Sequence, residues 1–398
     1  MAKAHSSHQG QSPVTVLFNA DAIVPPLTGI GLYARELLRA LRNQPENVNL
    51  RVFSALRWLQ ENEDPLQVNR VLQRGRRRLP FSHLALKAYL FWRNRRFQQL
   101  ARDYPKAVLH SPNFLDLPHT GPTVITIHDM AYARFPHTLP PERLALLQKG
   151  VPQAAARAQA IIVPSAFVKN EVLDILPVTA EKVHVIPHGV NDEFHRQGEK
   201  TTETPACVQA LGLEPGAYVL CVATSEPRKN LMNLLDAWFL LPASVRRERT
   251  LVLVGAGGWK NRALSQRLAF IAQRPAHYGR VVAPGYVSAA DLPGLYAAAA
   301  GFILPSIYEG FGLPLAEAMA CGLPTAVATG SALEEVASDS TIRFHPHNLE
   351  AISHALQRLL EDSQWRRQCA RDNRQQASAL RWSRCAEKTR AVYQSLVH

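Results

Sequence analysis

Residues 304–320, LPSIYEGFGLPLAEAMA, decide the fold. An apolar run, Gly301–Leu304, ends in a glycine-containing turn, and an apolar helical pattern begins near Pro314. Proline suits the first helical turn, where its missing N–H costs nothing, and Gly310 and Gly312 let the backbone come close to a ligand. Glu309 falls on the turn and Glu317 eight residues later on the helix. A helix start offers unpaired N–H groups, so a diphosphate could rest between the two carboxylates. Ionised carboxylates accept hydrogen bonds from hydroxyls, which fits the vicinal diols of a sugar and a ribose. The same spacing also suits a plain first-turn glutamate favoured by the helix dipole and a solvated loop glutamate.

Working outward, similar strand-then-helix units recur along the chain. Candidate strands are Val14–Asn19, Ala107–His110, Val124–Ile127, Ala160–Val163 and Val183–Ile186, then Tyr218–Ala223, Thr250–Val254, Val281–Ala283, Gly301–Leu304 and Pro324–Val327. Alternation of this kind predicts parallel sheets covered by helices, an α/β fold. The polar stretch 196–216, RQGEKTTETPACVQALGLEPG, separates two such halves, with a short helix expected near its end. The chain therefore reads as an N-terminal Rossmann-like domain over 1–196, a linker over 197–216, a C-terminal domain over 217–380 and a last helical segment over 381–398. With 398 residues, both halves are long enough to bury a core. Two such domains facing across a cleft would hold ligands at the carboxyl ends of their strands.

Bulk properties narrow the function classes. Apolar residues at 46% and charged residues at 19% exclude disordered and fibrous chains. The five cysteines form no CxxC pair, which argues against a disulfide framework and a zinc ribbon and for a reducing compartment. The polar opening MAKAHSSHQGQSP has no apolar core of a signal peptide, and no long apolar run predicts a membrane span, so a cytoplasmic location is expected. The net charge of +13 implies an acidic partner. Between Arg70 and Lys106, nine cations (Arg74, Arg76, Arg77, Arg78, Lys87, Arg93, Arg95, Arg96, Arg102) alternate with Phe81, Leu84, Leu86, Tyr89, Leu90, Phe91 and Trp92. That mixture suits peripheral contact with an anionic membrane, and equally an ordinary pair of helices with solvated arginines. No nucleic-acid module accompanies it, so nucleic acid is not expected as a partner.

Residues 218–231, YVLCVATSEPRKNL, repeat the strand-to-turn pattern and present Arg228 and Lys229 just before a helix. Two adjacent cations after a buried strand can neutralise a departing diphosphate, although surface ion pairing would account for them as well. Residues 28–38, TGIGLYARELL, follow the first strand and open a helix, a weak glycine signal alone. Residues 125–129, ITIHD, end a strand in His128 and Asp129, where a histidine is either a capping residue or a site residue.

Taken together, EGFGLPLAEAMACGLP (309–324) resembles the E-x7-E signature of the family 4 glycosyltransferases, and the likeness extends over nearly the whole chain. The resemblance implies the GT-B fold, two Rossmann-like domains, and retaining transfer of a sugar from a nucleotide-sugar donor to a saccharide acceptor. By the same resemblance Glu309 contacts the donor sugar and Glu317 the ribose. Gly310, Phe311, Gly312 and Leu313 present backbone to sugar and phosphates, Gly29 and Gly31 form the N-terminal glycine loop, and His128 lies near the donor sugar. Arg228 and Lys229 fall to the diphosphate. The chain departs from the family where Val222-Ala223 replaces the usual Gly-Arg pair, with Arg228 as the substitute charge, and where His188 of VIPHGVN (185–191) replaces an asparagine. Residues 163–170, VPSAFVKN, are a weaker landmark, and Arg381-Trp382 begins the last helix, expected to cross back to the first domain. The EPRKN variant resembles mannosyl- and rhamnosyltransferases of bacterial polysaccharide assembly, implying GDP-mannose or a related deoxyhexose donor and a lipid-linked acceptor. No cofactor and no metal is expected. Competing readings are a sugar-nucleotide epimerase, a phosphorylase, a UDP- or ADP-sugar transferase of the same architecture, and a basic membrane- or nucleic-acid-binding module.

Overall fold

The computed structural model describes residues 13–27, 29–44, 48–76, 83–197 and 204–397, with backbone alone for 71–76 and 83–87. Thr28, Arg77, Arg78, Phe81 and the linker positions 198–203 therefore lie outside the described residues, as do the side chains of Arg74, Arg76, Leu84, Leu86 and Lys87.

Thirteen strands are described. They are β1 (Val14–Asn19), β2 (Val48–Ser54), β3 (Arg57–Trp58), β4 (Val108–Ser111), β5 (Thr123–Thr126), β6 (Ala160–Val163) and β7 (Val183–Val185), then β8 (Tyr218–Val222), β9 (Thr250–Val254), β10 (Arg280–Gly285), β11 (Gly301–Leu304), β12 (Thr325–Ala328) and β13 (Ile342–Phe344). The first seven form one sheet in the order β3-β2-β1-β4-β5-β6-β7, with β3 an antiparallel edge on β2. The other six form a fully parallel sheet, β10-β9-β8-β11-β12-β13. Counted from its own first strand, the second sheet runs 3-2-1-4-5-6, the doubly wound Rossmann order. Its switch point, where successive crossovers diverge, lies between β8 and β11.

The expected α/β class and both parallel sheets are present, and ten strands fall where the apolar runs put them, within one or two residues at each end. Three were not anticipated. In β2, VNLRVFS, Arg51 interrupts the apolar pattern, and in β13, IRF, three residues with an exposed central arginine are too short to signal a strand. The antiparallel β3 has only two residues.

By contacts the chain falls into two compact units, Met1–Thr126 with Arg157–Ile161 and Ala386–His398, and Ile127–Ala156 with Ile162–Cys385. In the first, Leu17, Phe53, Phe97 and Leu109 pack together, with Phe97 edge-on to Phe53. Its buried His110 Nδ1 lies 2.6 Å from the Tyr393 hydroxyl, tying the end of the Trp382–Ser395 helix to β4. In the second, Trp238, Leu234 and Leu235 of the Leu231–Leu240 helix meet Leu251, Ile303, Leu356 and Leu359, all nearly inaccessible to solvent. This core fixes β8 and β11 side by side and so fixes the loops at their carboxyl ends.

Candidate active site

The loop after β8 and the loop after β11 leave adjacent parallel strands at the switch point. Arg228 and Lys229 belong to a single 3-10 turn, Pro227–Lys229, which ends at Asn230 in a left-handed conformation (φ 60°). Asn230 is buried, and its amide donates to the carbonyls of Pro305 and Pro346 at 3.1 and 2.6 Å. The Ile307 N–H donates to the Arg228 carbonyl at 2.8 Å, and the Arg228 guanidinium donates to the Tyr308 carbonyl at 2.9 Å. Three of these bonds stitch residues 228–230 to residues 305–308, and the fourth ties Asn230 to the segment after β13. Asparagine tolerates the left-handed region because its short polar side chain can hydrogen-bond locally, and here it bonds across the site.

Charge is concentrated on this stitch. Lys229 Nζ lies 2.6 Å from Glu309 Oε1, and Arg228 lies 3.5 Å from Glu309 Oε2, 3.5 Å from Glu226 and 3.8 Å from Asp129. Glu309 is 8% exposed. Burial alone would favour its protonated form, but Lys229 and Arg228 outweigh burial and hold the carboxyl below its ordinary value. Burial likewise opposes the Arg228 charge, and Asp129, Glu309 and Glu226 outweigh it, raising that pKa. Arg228 and Lys229 therefore face three carboxylates, leaving the cluster with a formal charge of −1 at neutral pH.

Helix Leu313–Ala320 follows at once. Gly312 caps it at φ 89°, in the left-handed region where a side chain is strained, and a Cβ there would meet Leu333 Cδ2 at 2.4 Å. A Cβ on Gly310 would lie 1.8 Å from the His128 carbonyl oxygen, so only glycine fits. The Gly310 carbonyl accepts from Ser165 Oγ at 2.8 Å, and Ala332 N–H donates to the Glu309 carbonyl at 3.2 Å. Glu317, on the second turn of the helix, is 7% exposed and accepts from the Tyr296 hydroxyl at 3.1 Å. Burial, only partly offset by that bond, pushes its carboxyl up to about 7.

The structure brings together Arg228, Lys229, Glu309, Gly310 and His128, with Glu317 on the helix that follows. His128, 8% exposed, packs edge-on to His188 at 5.6 Å, and His188 lies 4.8 Å from the Phe311 ring. Burial, then the neighbouring His128, holds His188 well below its ordinary value, so it is neutral. Leu313 starts the helix, buried. Gly29 and Gly31 open helix Gly29–Arg42 directly after β1, in the other compact unit.

Three residues that the sequence quotes only in passing prove structural here. Asp129 and Glu226 flank Arg228, and the Tyr308 hydroxyl donates to Glu171 while accepting from the Met130 N–H at 2.8 Å. Glu171 also receives Arg134 at 2.9 Å. Their one signal is adjacency, since Asp129, Glu226 and Tyr308 each neighbour a residue already singled out or lie within two positions of one. Among the described residues no three His, Cys, Asp or Glu side chains gather as a metal site, and no helix is long and apolar enough to cross a membrane.

Solved structures share this architecture over almost their whole lengths. Anabaena Alr3699/HepE, crystallised in complex with UDP-glucose, superposes with a TM-score of 0.72 at 18% identity, covering 96% of this chain and 100% of that one. Sucrose-phosphate synthase from Thermosynechococcus elongatus superposes at 0.71 and 20% identity, covering 97% and 99%. At such identities the likeness establishes the fold, which is the two-Rossmann GT-B fold of glycosyltransferases. "Glycosyltransferase Family 4" matches residues 27–194 and "Glycosyl transferases group 1" residues 208–376. O-antigen chain mannosyltransferase B of Escherichia coli is 31% identical over 389 residues, 96% of this chain and 100% of that protein. The chain belongs to glycosyltransferase family 4, and it is a glycosyltransferase.

Proposed function

We propose that this enzyme moves a mannosyl residue, or a related deoxyhexosyl residue, from its GDP-activated donor to a saccharide acceptor with retention of configuration. The acceptor is a lipid-linked glycan in the assembly of a bacterial surface polysaccharide, and the enzyme works in the cytoplasm at the membrane face. The Lys229–Glu309 pair at the β8/β11 switch point carries the reading, and the 31% identity to an O-antigen chain mannosyltransferase favours the sugar.

Sugar transfer builds positive charge at the anomeric carbon and negative charge on the departing diphosphate, so the chief demand is leaving-group stabilisation in a water-poor site. Glu309, held ionised by Lys229 and Arg228, accepts hydroxyls of the donor sugar. Lys229 and the N–H groups from Gly310 to Leu313 neutralise the diphosphate together with Arg228, whose orientation Asp129 and Glu226 fix. Glu317 accepts from the ribose hydroxyls. His128 polarises the reacting sugar, while Gly29 and Gly31 face phosphate and acceptor from the N-terminal domain.

Peripheral membrane contact fits the acceptor. On helix His83–Ala101, Phe97 is buried in the core while Phe91 and Trp92 are 55% and 64% exposed, with Arg95 over the Phe91 ring at 5.3 Å. Exposed aromatic rings beside arginine suit the boundary between headgroups and acyl chains.

Thermal-shift and turnover measurements with GDP-mannose, GDP-linked deoxyhexoses, UDP-glucose, dTDP-rhamnose and ADP-glucose test the donor. Stabilisation by GDP-mannose or a GDP-deoxyhexose, lost in Glu317→Ala, is expected, because a ligand bound to the native state raises its stability by mass action. Stabilisation by UDP-glucose alone would replace the donor assignment, and none by any sugar nucleotide at millimolar concentration would refute it.

A further inference from the structure

A second charged site lies at the opposite end of the C-terminal sheet. A cavity of about 670 Å³ opens beneath the turns that lead into β11 and β12, lined by Ala297–Ala300 and Cys321–Pro324. These segments precede the strands, whereas Glu309 and Lys229 follow them, so the cavity lies at the amino ends of the strands and is separate from the donor site. Its volume is in the range that holds a small metabolite, roughly 300–1,000 Å³.

The far wall is one face of helix Ser363–Ala377, which presents Ser363, Arg366, Arg367, Ala370 and Arg374. Positions 363, 366, 367, 370 and 374 repeat at helical spacing, so all three guanidinium groups fall on the same stripe. None of the described lining residues is acidic. The two acidic side chains at this helix are engaged elsewhere, Asp362 at the Trp365 N–H and Arg358, and Asp372 at Ser340 and Gln368. Arg366 Nε is buried and has no hydrogen-bond partner among the described residues. Burial, and then the neighbouring Arg249 cation, lower the Arg366 pKa. Arg374 lies across the cavity floor, where a Cβ on Gly322 would meet its Nε at 2.2 Å.

We propose that this cavity binds a phosphorylated small molecule through Arg366, Arg367 and Arg374. Guanidinium forks match the paired oxygens of phosphate, and an anion would neutralise three cations that line one cavity while giving Arg366 Nε an acceptor. The site also adjoins the helix that carries Glu317. Cys321 follows that helix and lines the cavity, its N–H bonded to the Glu317 carbonyl, and Ala297 follows Tyr296, the hydrogen-bond donor to Glu317. Occupancy therefore reaches the donor site through residues 296–297 and 317–321.

Pyrophosphate is the probe, titrated calorimetrically into the full-length enzyme, the double variant Arg366→Gln/Arg374→Gln, Arg367→Glu and Lys229→Ala. Two classes of site are expected in the wild type. The class that survives in Lys229→Ala should weaken at least tenfold in the double variant and in Arg367→Glu, while both of these retain donor turnover. Arg367 is exposed, so its replacement tests the site even if the double variant does not fold. A single class abolished by Lys229→Ala, or a second class unaffected by Arg367→Glu and the double variant, would overturn the proposal.

Discussion

Replacing Glu317 by glutamine should remove the pH dependence of stability contributed by this residue. In the native protein the Glu317 carboxyl is 7% exposed, accepts one hydrogen bond, from Tyr296, and is raised by burial from 4.5 to about 7. The folded protein thus holds this proton to higher pH than the unfolded chain does. Stability is greatest, for this group, below the unfolded value, and it is lost as pH rises from about 4.5 through about 7. At about 1.36 kcal/mol per pH unit, the loss above pH 7 amounts to about 3 kcal/mol. Glutamine keeps the acceptor for the Tyr296 hydroxyl and removes the ionisation. Urea unfolding of the wild type and Glu317→Gln, followed by tryptophan fluorescence between pH 4.5 and 8.5, reads this directly. The stability of the variant relative to the wild type should climb by about 3 kcal/mol across that interval. Parallel curves would mean that Glu317 is solvated, and the account of a desolvated carboxylate would fail. On the proposed ribose contact, the same substitution should also weaken GDP binding, because the amide supplies only one acceptor oxygen.

Removing the charge pair at the switch point should act on turnover instead. Glu309→Ala or Lys229→Ala should lower turnover by roughly 10²- to 10³-fold in steady-state assays, the scale for deleting one preorganised charge-stabilising group, and near-normal rates would refute the roles proposed for both. Gly310→Ala drives a Cβ to 1.8 Å from the His128 carbonyl, so backbone must move, with an expected cost of about 1–3 kcal/mol in denaturant unfolding and loss of donor binding. Tyr308→Phe removes the donor to Glu171 and the acceptor of the Met130 N–H, which should cost about 1–3 kcal/mol of stability by leaving buried groups unpaired. Phe91→Ala/Trp92→Ala should abolish cosedimentation with vesicles containing anionic lipid while leaving the melting curve unchanged, and undiminished binding would remove this face as the membrane contact.

How much was legible in the sequence follows from how each feature is encoded. The strand after which Glu309 stands is a continuous apolar run, because both faces of a parallel strand are covered, and such runs are visible without an alignment. Glycine at 310 and 312 marks the turn because a Cβ would collide with its neighbours there, and proline at 314 suits the first helical turn. A strand such as β13, three residues with an arginine at its centre, is defined by pairing with β12 and not by its own composition. The same holds for charge. Arg228 and Lys229 could be seen as cations after a strand, but whether they meet ligand or protein depends on three carboxylates drawn from three separate segments, at 129, 226 and 309. Only the parallel pairing of β8 with β11 brings two of those segments side by side.

That pairing also accounts for why the site can hold so many charges under cover. The cations and Glu309 occupy loops locked by Asn230 and by the Ile307–Arg228 bond, so the ordering entropy of the side chains is met by folding and not at the moment of binding. With Lys229 already bonded to Glu309, a diphosphate enters a cluster whose formal charge is −1, and it must share Lys229 with the carboxylate. On the proposed roles, donor binding couples the sugar-contacting acid to the leaving-group cation through one hydrogen bond. A double-mutant cycle between Glu309 and Lys229 should accordingly give turnover losses far from additive, with the double variant little slower than either single one, because each substitution strands the partner charge. Additive losses would place the two side chains in independent roles and break the link between sugar recognition and departure of the diphosphate.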